Sequence, residues 1–432
     1  MEDPVEKHGV TEAGRPSPTV TAAEELSQPK NNVRSEAEAE SILSAIDVSS
    51  NDDITPTGDR VDDPEKAAAA QDQEPIKRTV TAQAWTGPDD PENPQNWPTV
   101  KKAYHTAATA LLGFAVTCGS SMITPGTPEI QRDFGISRTV AILPLSLFVL
   151  GLALGPVLAA PVSETFGRSI VYKISAPAFM IFILGSGFSK SLGSLLVCRL
   201  LAGALGGPVL AVGAGTNADM YDARNRAVAS ACFVMMPFLG PSIGPVIGGF
   251  AAQFKSWRWT QWCTIFVGLA ATALVFPMSE THKKTILQRR AKKLGITPPK
   301  GPPVKGLAYV KMLLTITLIR PLNMLFTEPI VALLSLYTAF TFSVLFAFFA
   351  AYPYTFESVY GFNTWQYGLT FLGIGLGVLL AVLTAAIVNR VYYLKHHQRV
   401  SREGKRAPPP EYRLMCAQLG SFGISIGSVP LP

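Results

Sequence analysis

The chain has 432 residues, is 48% hydrophobic and carries a formal charge of +6 at neutral pH. That figure conceals two regions of opposite sign: residues 1–96 hold 21 acidic and 8 basic side chains, the remainder 10 acidic and 29 basic. A basic body invites a nucleic-acid reading, but its charges sit between long greasy runs, which excludes that partner and a soluble single-core domain.

In chain order, the first 90 residues are rich in Glu, Ala, Ser, Pro and Asp and poor in aromatics, a composition that cannot bury enough apolar surface to fold alone. Residues 1–96 are therefore read as a disordered acidic cytoplasmic tail. The extreme N-terminus has no apolar core of a signal peptide, so the first span is expected to direct insertion. Asp, Glu, Lys and Arg are then absent from 103–128, 139–163, 227–254, 259–279, 329–356 and 358–389. Two further runs are interrupted once each, 170–189 by Lys173 and 192–218 by Arg199. A bilayer core takes about 20 apolar residues per helix, so the pattern predicts eight spans and an all-α membrane protein.

Loop charge orients them. The spacer 278–320 holds ten basic residues and one acid, Glu280, and 390–411 holds six basic residues and two acids, while the spacers between are poorer in Lys and Arg. Cytoplasmic loops collect positive charge, which places the N-terminus and both basic spacers inside. Within 280–320, "HKKTILQRRAKK" forms a basic amphipathic helix, with Ile286 and Leu287 on one side, suited to an anionic leaflet. The "PPKGPP" that follows reads as a stiff linker. The expected organisation is a six-helix bundle over 97–279, a basic linker over 280–320 and a partial second bundle over 321–432, with two helices and the start of a third.

In the fifth run, "GPSIGPVIGGF" sets Gly240, Gly244 and Gly248 four residues apart, with Pro241, Pro245 and Gly249 between and after them. Small residues at that spacing let membrane helices approach closely, and prolines are tolerated where neighbours satisfy the freed carbonyls. The predicted result is a notched helix built for a tight contact. Gly151/Gly155, Gly203/Gly207 and Gly373/Gly377 repeat the spacing singly and are read as ordinary packing.

The triple repeat resembles the helix-five signature of the major facilitator superfamily, in its drug:proton antiporter branch. "GPVLAAPVSETFGRSIVY" is similar to that family's helix 2–3 loop signature, with Glu164, Gly167 and Arg168 in place, and Ala160 and Thr165 departing from it. "LLVCRLLAGALGG" resembles the signature centred on an arginine, here Arg199. "NPQNWP", "WRWTQW" and "RPLNMLFTEPIVALLSLYTAF" resemble fungal polyamine and multidrug exporters. The resemblance implies a major facilitator fold, alternating access and proton-coupled efflux of drug-, polyamine- or toxin-like molecules by a plasma-membrane monomer. It implies that Arg199 takes part in proton coupling, and that the family's twelve helices are not all present, so that the chain is expected to be C-terminally truncated. The competing reading is a non-transporting membrane protein or an inactive remnant.

Individual residues have plainer readings beside these. An arginine inside an apolar span is costly and by default functional. Arg168, Glu164 and Asp219 cluster at one membrane edge, where an Arg168–Asp219 pair is either a conformational lock or a static surface bridge. Glu129 and Glu357 either attract cationic substrates or are simply solvated, and Glu328 before Pro329 favours a helix start. Tyr337, Phe346 and Tyr352 offer cation–π contacts, against the blander reading that they pack or face lipid. No phosphate-binding loop, metal-ligand spacing or paired cysteine motif is present, so no cofactor, metal or catalytic residue is expected. The partners are a small-molecule substrate, protons and the bilayer.

Overall fold

Inside a bilayer a backbone must satisfy its own polar groups, and long uncharged runs do this as helices. The computed structural model describes residues 84–295, 315, 319–388, 390–391 and 420, and among these there is no strand. The chain divides into two units, Met1–Ile76 and Lys77–Pro432. The first lies outside the described residues, as do the "PPKGPP" linker and nearly all of 392–432.

The principal helices are α1 Thr99–Ser121, α2 Thr127–Phe134, α3 Leu143–Phe166, α4 Arg168–Gly187, α5 Leu192–Gly206, α6 Pro208–Met220 and α7 Ala223–Phe254. They continue as α8 Trp257–Val275, α9 Lys283–Lys293, α10 Arg320–Thr327, α11 Pro329–Ser358, α12 Thr364–Thr370 and α13 Leu372–Val388. Seven stretches among the described residues are long and apolar enough to cross a membrane: Thr99–Phe134, Leu143–Phe166, Arg168–Gly187, Leu192–Met220, Asn225–Phe254, Pro329–Ser358 and Thr364–Val388. The expected span missing from these seven is the sixth, 259–279, which corresponds to α8, a helix of 19 residues with a more polar first half. Its Thr260, Gln261, Thr264 and Thr272 turn into the protein and are buried there. The fourth span is split: Pro208 opens α6 directly after Gly207, because its ring cannot donate to the preceding turn.

The core of the first six spans gathers Leu112 and Val116 of α1, Phe148 of α3, Phe179 and Ile183 of α4, Val209 of α6 and Val275 of α8. Close approach of backbones makes it possible. A Cβ on Gly151 would strike Leu200 O, and one on Gly203 would strike Phe148 O, so these two small-residue pairs face each other across α3 and α5. Gly373 and Gly377 share the spacing and touch nothing within 4 Å. Spacing alone did not separate these cases.

Two expectations about the edges change. Residues 84–96 are not featureless: Pro94–Asn96 forms a turn of 3₁₀ helix and the Asp90 side chain is fully buried against Arg290. The apolar side of α9 is likewise taken up by the protein, with Thr285, Leu287 and Ala291 buried. It therefore does not lie with that side in a leaflet, and only its basic side is outward.

Candidate functional site

At the Arg168 end, Gly167 stands between α3 and α4 with φ 103° and ψ 162°, a conformation L side chains rarely adopt. The space where its Cβ would stand is filled by the carboxylate of Glu280. Glu280 Oε1 accepts from Arg168 N at 2.8 Å, Thr281 N at 3.1 Å and His282 N at 3.0 Å, and Oε2 from Ser169 N at 3.3 Å. A carboxylate far along the chain thus satisfies two of the otherwise orphaned first-turn donors of α4, where the helix dipole also favours negative charge. With α4 so held, Arg168 reaches Asp219 Oδ2 on α6 (Nε to oxygen 3.3 Å) and donates through Nη1 to Ser163 Oγ at 2.8 Å.

The structure therefore brings Arg168 and Asp219 together, as the charges had suggested. Glu164, expected in the same cluster, is exposed, and among the described residues no hydrogen bond or ion pair reaches it. Glu280 is the buried carboxylate of this cluster, and the sequence shows it only as a single acid in a basic spacer. Its signal was available: one carboxylate against ten cations, placed directly where an apolar span ends. Next to it, burial and the Arg168 guanidinium push the imidazole of His282 down to about 4.

Arg199 lies on α5 with no exposed surface. Its Nη1 donates to Gly119 O of α1 at 2.8 Å and its guanidinium sits 5.4 Å from the Phe148 ring centroid. Nε and Nη2 are buried and have no hydrogen-bond partner among the described residues. A guanidinium so placed presents two unused donors inside the bundle.

The notched helix α7 has two neighbours at once. Cβ atoms on Gly240, Gly244 and Gly248 would run into Thr117 Oγ1, Ser121 Oγ and Met122 O, so that edge lies directly on α1 and its extension. On the other side a Cβ at Gly249 would come within 3.0 Å of Thr364 O, and Gly368 approaches Pro245 O. Ser242 Oγ donates to Phe371 O at 2.6 Å, and Thr364 N donates to Gln253 Oε1 at 3.1 Å. Despite Pro237, Pro241 and Pro245 the helix runs unbroken through 32 residues. It makes the most extensive contact between the first six spans and the pair α12 and α13.

At the opposite end, half-buried Glu129 is engaged by the protein. Its Oε2 accepts from Trp257 N at 2.5 Å at the start of α8, while Asp133 Oδ2 accepts from Trp257 Nε1 at 2.9 Å and from Arg258 Nη1 at 3.1 Å. Beside this cluster a cavity of about 370 Å³ lies between Thr124–Leu145 and the end of α11. Arg138, Gln131, Phe349, Tyr354 and Glu357 line it, with the Arg138 guanidinium 5.0 Å from the Tyr354 ring centroid. Of the aromatic candidates, Phe346 and Tyr352 do not line it. They pack instead against Leu145, Phe349 and Phe371. Tyr337 lies 42% exposed on the outer side of α11. Glu328 is the residue before α11, but its carboxylate caps nothing, and only its carbonyl accepts, from Ala332 N at 3.0 Å.

Residues 109–429 match the Major Facilitator Superfamily. The chain is 38% identical over 367 residues to Polyamine transporter 4 of Saccharomyces cerevisiae, a match covering 79% of this chain and 55% of that protein. It is 35% identical over 368 residues to an efflux pump of Floropilus chiversii (84% of this chain, 68% of the relative). To a major facilitator superfamily multidrug transporter of Candida albicans it is 34% identical over 351 residues (80% and 57%). It thus spans little more than half the length of two of these relatives. A match across most of the described helices, in a multi-pass arrangement of apolar spans around one buried arginine, places this chain in the Major Facilitator Superfamily.

Proposed function

We propose that the chain carries out proton-coupled export of small organic molecules by alternating access, in the manner of the fungal drug and polyamine exporters it resembles. The observation that carries this reading is Arg199. A cation enclosed by apolar spans is expensive to keep, and two of its donors are unused. Such a group is placed to sense a proton or a charged solute passing the bundle.

The Arg168–Asp219 pair, steadied by Ser163 and Glu280, acts as a lock that closes one end in one conformation and opens in the other, with exposed Glu164 on the same loop. The Gly240–Gly249 notch supplies the contact along which α7 slides against its neighbours. Substrate passes between the two sets of helices near the midplane. Phe346 and Tyr352, packed behind Phe349 in the conformation seen, become aromatic contacts on its route only as the helices move, with Tyr337 a more peripheral one. The basic outer side of α9 supports a cytoplasmic Arg168 end and N-terminus, in a plasma-membrane monomer.

The test is flux in proteoliposomes under an imposed proton gradient, using a polyamine and a hydrophobic cation as probes. Gradient-driven flux that Arg199→Ala abolishes and Arg199→Lys partly retains upholds the reading. Absence of gradient-driven flux from the unsubstituted protein refutes it and favours a non-transporting membrane protein.

A further inference from the structure

The segment before the first span makes polar contacts with a helix some 200 residues further along the chain. Asp90 Oδ2 accepts from Arg290 Nη1 at 2.7 Å, across 200 residues, and Arg290 Nη2 donates to Thr86 Oγ1 at 2.9 Å. Arg290 Nε lies 3.5 Å from Glu92 Oε2. Asp90 also accepts from Thr86 N and Glu92 N, each at 3.0 Å, and its side chain is wholly buried while that of Arg290 is 19% exposed. Asn96 closes the turn by donating to Pro88 O at 2.6 Å and Asp90 O at 3.0 Å. A leader that merely floated would not bury a carboxylate and satisfy it with three donors.

The same segment is fastened to the bundle at its other end. Trp97 is largely buried, its ring 5.1 Å from that of His105, with Lys101 Nζ 3.6 Å from its centroid. His105 Nε2 accepts from Ser279 N at 3.0 Å, which leaves Nδ1 to donate to Lys101 O at 2.8 Å. A closed ring of contacts results: leader to α1, α1 to Ser279, Ser279 to its neighbour Glu280, α9 back to the leader through Arg290. Glu280 stands within this ring, and Arg289 Nη2 on α9 approaches its Oε2 at 3.8 Å.

We propose that Asp90 and Arg290 are positioning residues for the Arg168–Asp219 lock: by strapping α9 to the leader they hold Glu280 where its carboxylate caps α4. They touch no substrate and act only through Glu280. This rests on the reading of that pair as the moving lock, so the decisive measurement does not require transport.

The measurement is hydrogen–deuterium exchange on the full chain in lipid nanodiscs, followed at the amides of Arg168 and Ser169, the two α4 donors that Glu280 caps. Asp90→Asn and Arg290→Gln each should speed exchange there by about tenfold or more, the double substitution no further than either alone. Arg290→Lys, which keeps the charge and loses the fork, should fall between. The amide of Trp257, capped by Glu129 at the opposite end, should not change and reports that the fold is intact. Faster exchange confined to 84–97 and 283–293, with Arg168 and Ser169 unmoved, would overturn the proposal, as would equal acceleration at Trp257. In the parallel transport assay the same substitutions are expected to lower the maximal rate at least fivefold with little change in KM. Altered exchange without altered flux would leave the strap standing and count against the lock.

Discussion

The two ends of the six-span bundle use one device in different settings. At each, a carboxylate remote in sequence accepts from the first N–H groups of a helix: Glu280 for α4 and Glu129 for α8. Glu280 serves four backbone donors in a network of Arg168, Asp219, Arg289 and the leader, whereas Glu129 serves one, beside the half-exposed Asp133–Arg258 bridge, with Trp257 sealed against Ile123, Ile130 and Leu195. Contacts to α12 and α13 gather at the Glu129 end, where Tyr367 Oη donates to Pro125 O at 3.2 Å and Phe349 stacks on Phe371 at 5.1 Å. Charge therefore organises one end and close packing the other. Ion pairs can be exchanged for water at modest cost, while interlocked backbones cannot.

The comparison is broken most severely by filling the notch. Gly244→Leu would drive a side chain into Ser121 Oγ and, behind it, the backbone of Cys118 and Met122, which cannot retreat. Overpacking of this kind costs about 1–3 kcal/mol or more, so thermal unfolding in detergent should show a large loss, or no folded protein at all. Next comes the difference between the two caps. Glu280→Gln keeps the shape but loses charge on four donors and should cost about 2–3 kcal/mol, whereas Glu129→Gln should cost about 1 kcal/mol. Equal melting shifts for the two would erase the distinction between the ends.

Acid separates them more gently. The carboxyl of Asp90 is raised by burial, but the Arg290 bond and the two backbone donors outweigh that and hold it at about 2. Its contribution is complete above its ordinary value of 3.8 and is lost as pH falls through about 2. His282, neutral in the fold down to about 4, loses stability earlier: as pH falls from 6.5 to 4 the unfolded chain takes up a proton that the folded one resists. Melting temperature should therefore decline from pH 6.5 to 4, and His282→Gln should flatten that limb while leaving the lower one in place. The smallest effects belong to a glycine with no neighbour and to a half-exposed ion pair. Gly377→Leu should stay within about 0.5 kcal/mol of the parent, and Asp133→Asn, which breaks a half-exposed bridge to Arg258, within about 1 kcal/mol.

Much of the membrane architecture was legible because apolar runs report their own length, and Arg168 with Asp219 was legible because charges at one membrane edge have few places to go. Glu280 and Asp90 were not. Each lies in a charged stretch whose commonest fate is solvation, and what singles them out is a partner 112 or 200 residues away. The same holds for α8, whose threonines and Gln261 lower its apolar signal because they face inward.

Sequence by itself determined that this chain crosses a membrane repeatedly, where its spans fall to within a few residues, and that the fifth carries a notch. These follow from composition and short-range spacing, which the bilayer reads directly. Tertiary structure alone decided which small-residue pairs meet a neighbour, that the leader grips the linker helix, and that Glu280 seats the helix bearing Arg168. Those depend on distances between segments far apart in the chain, and no local pattern encodes them.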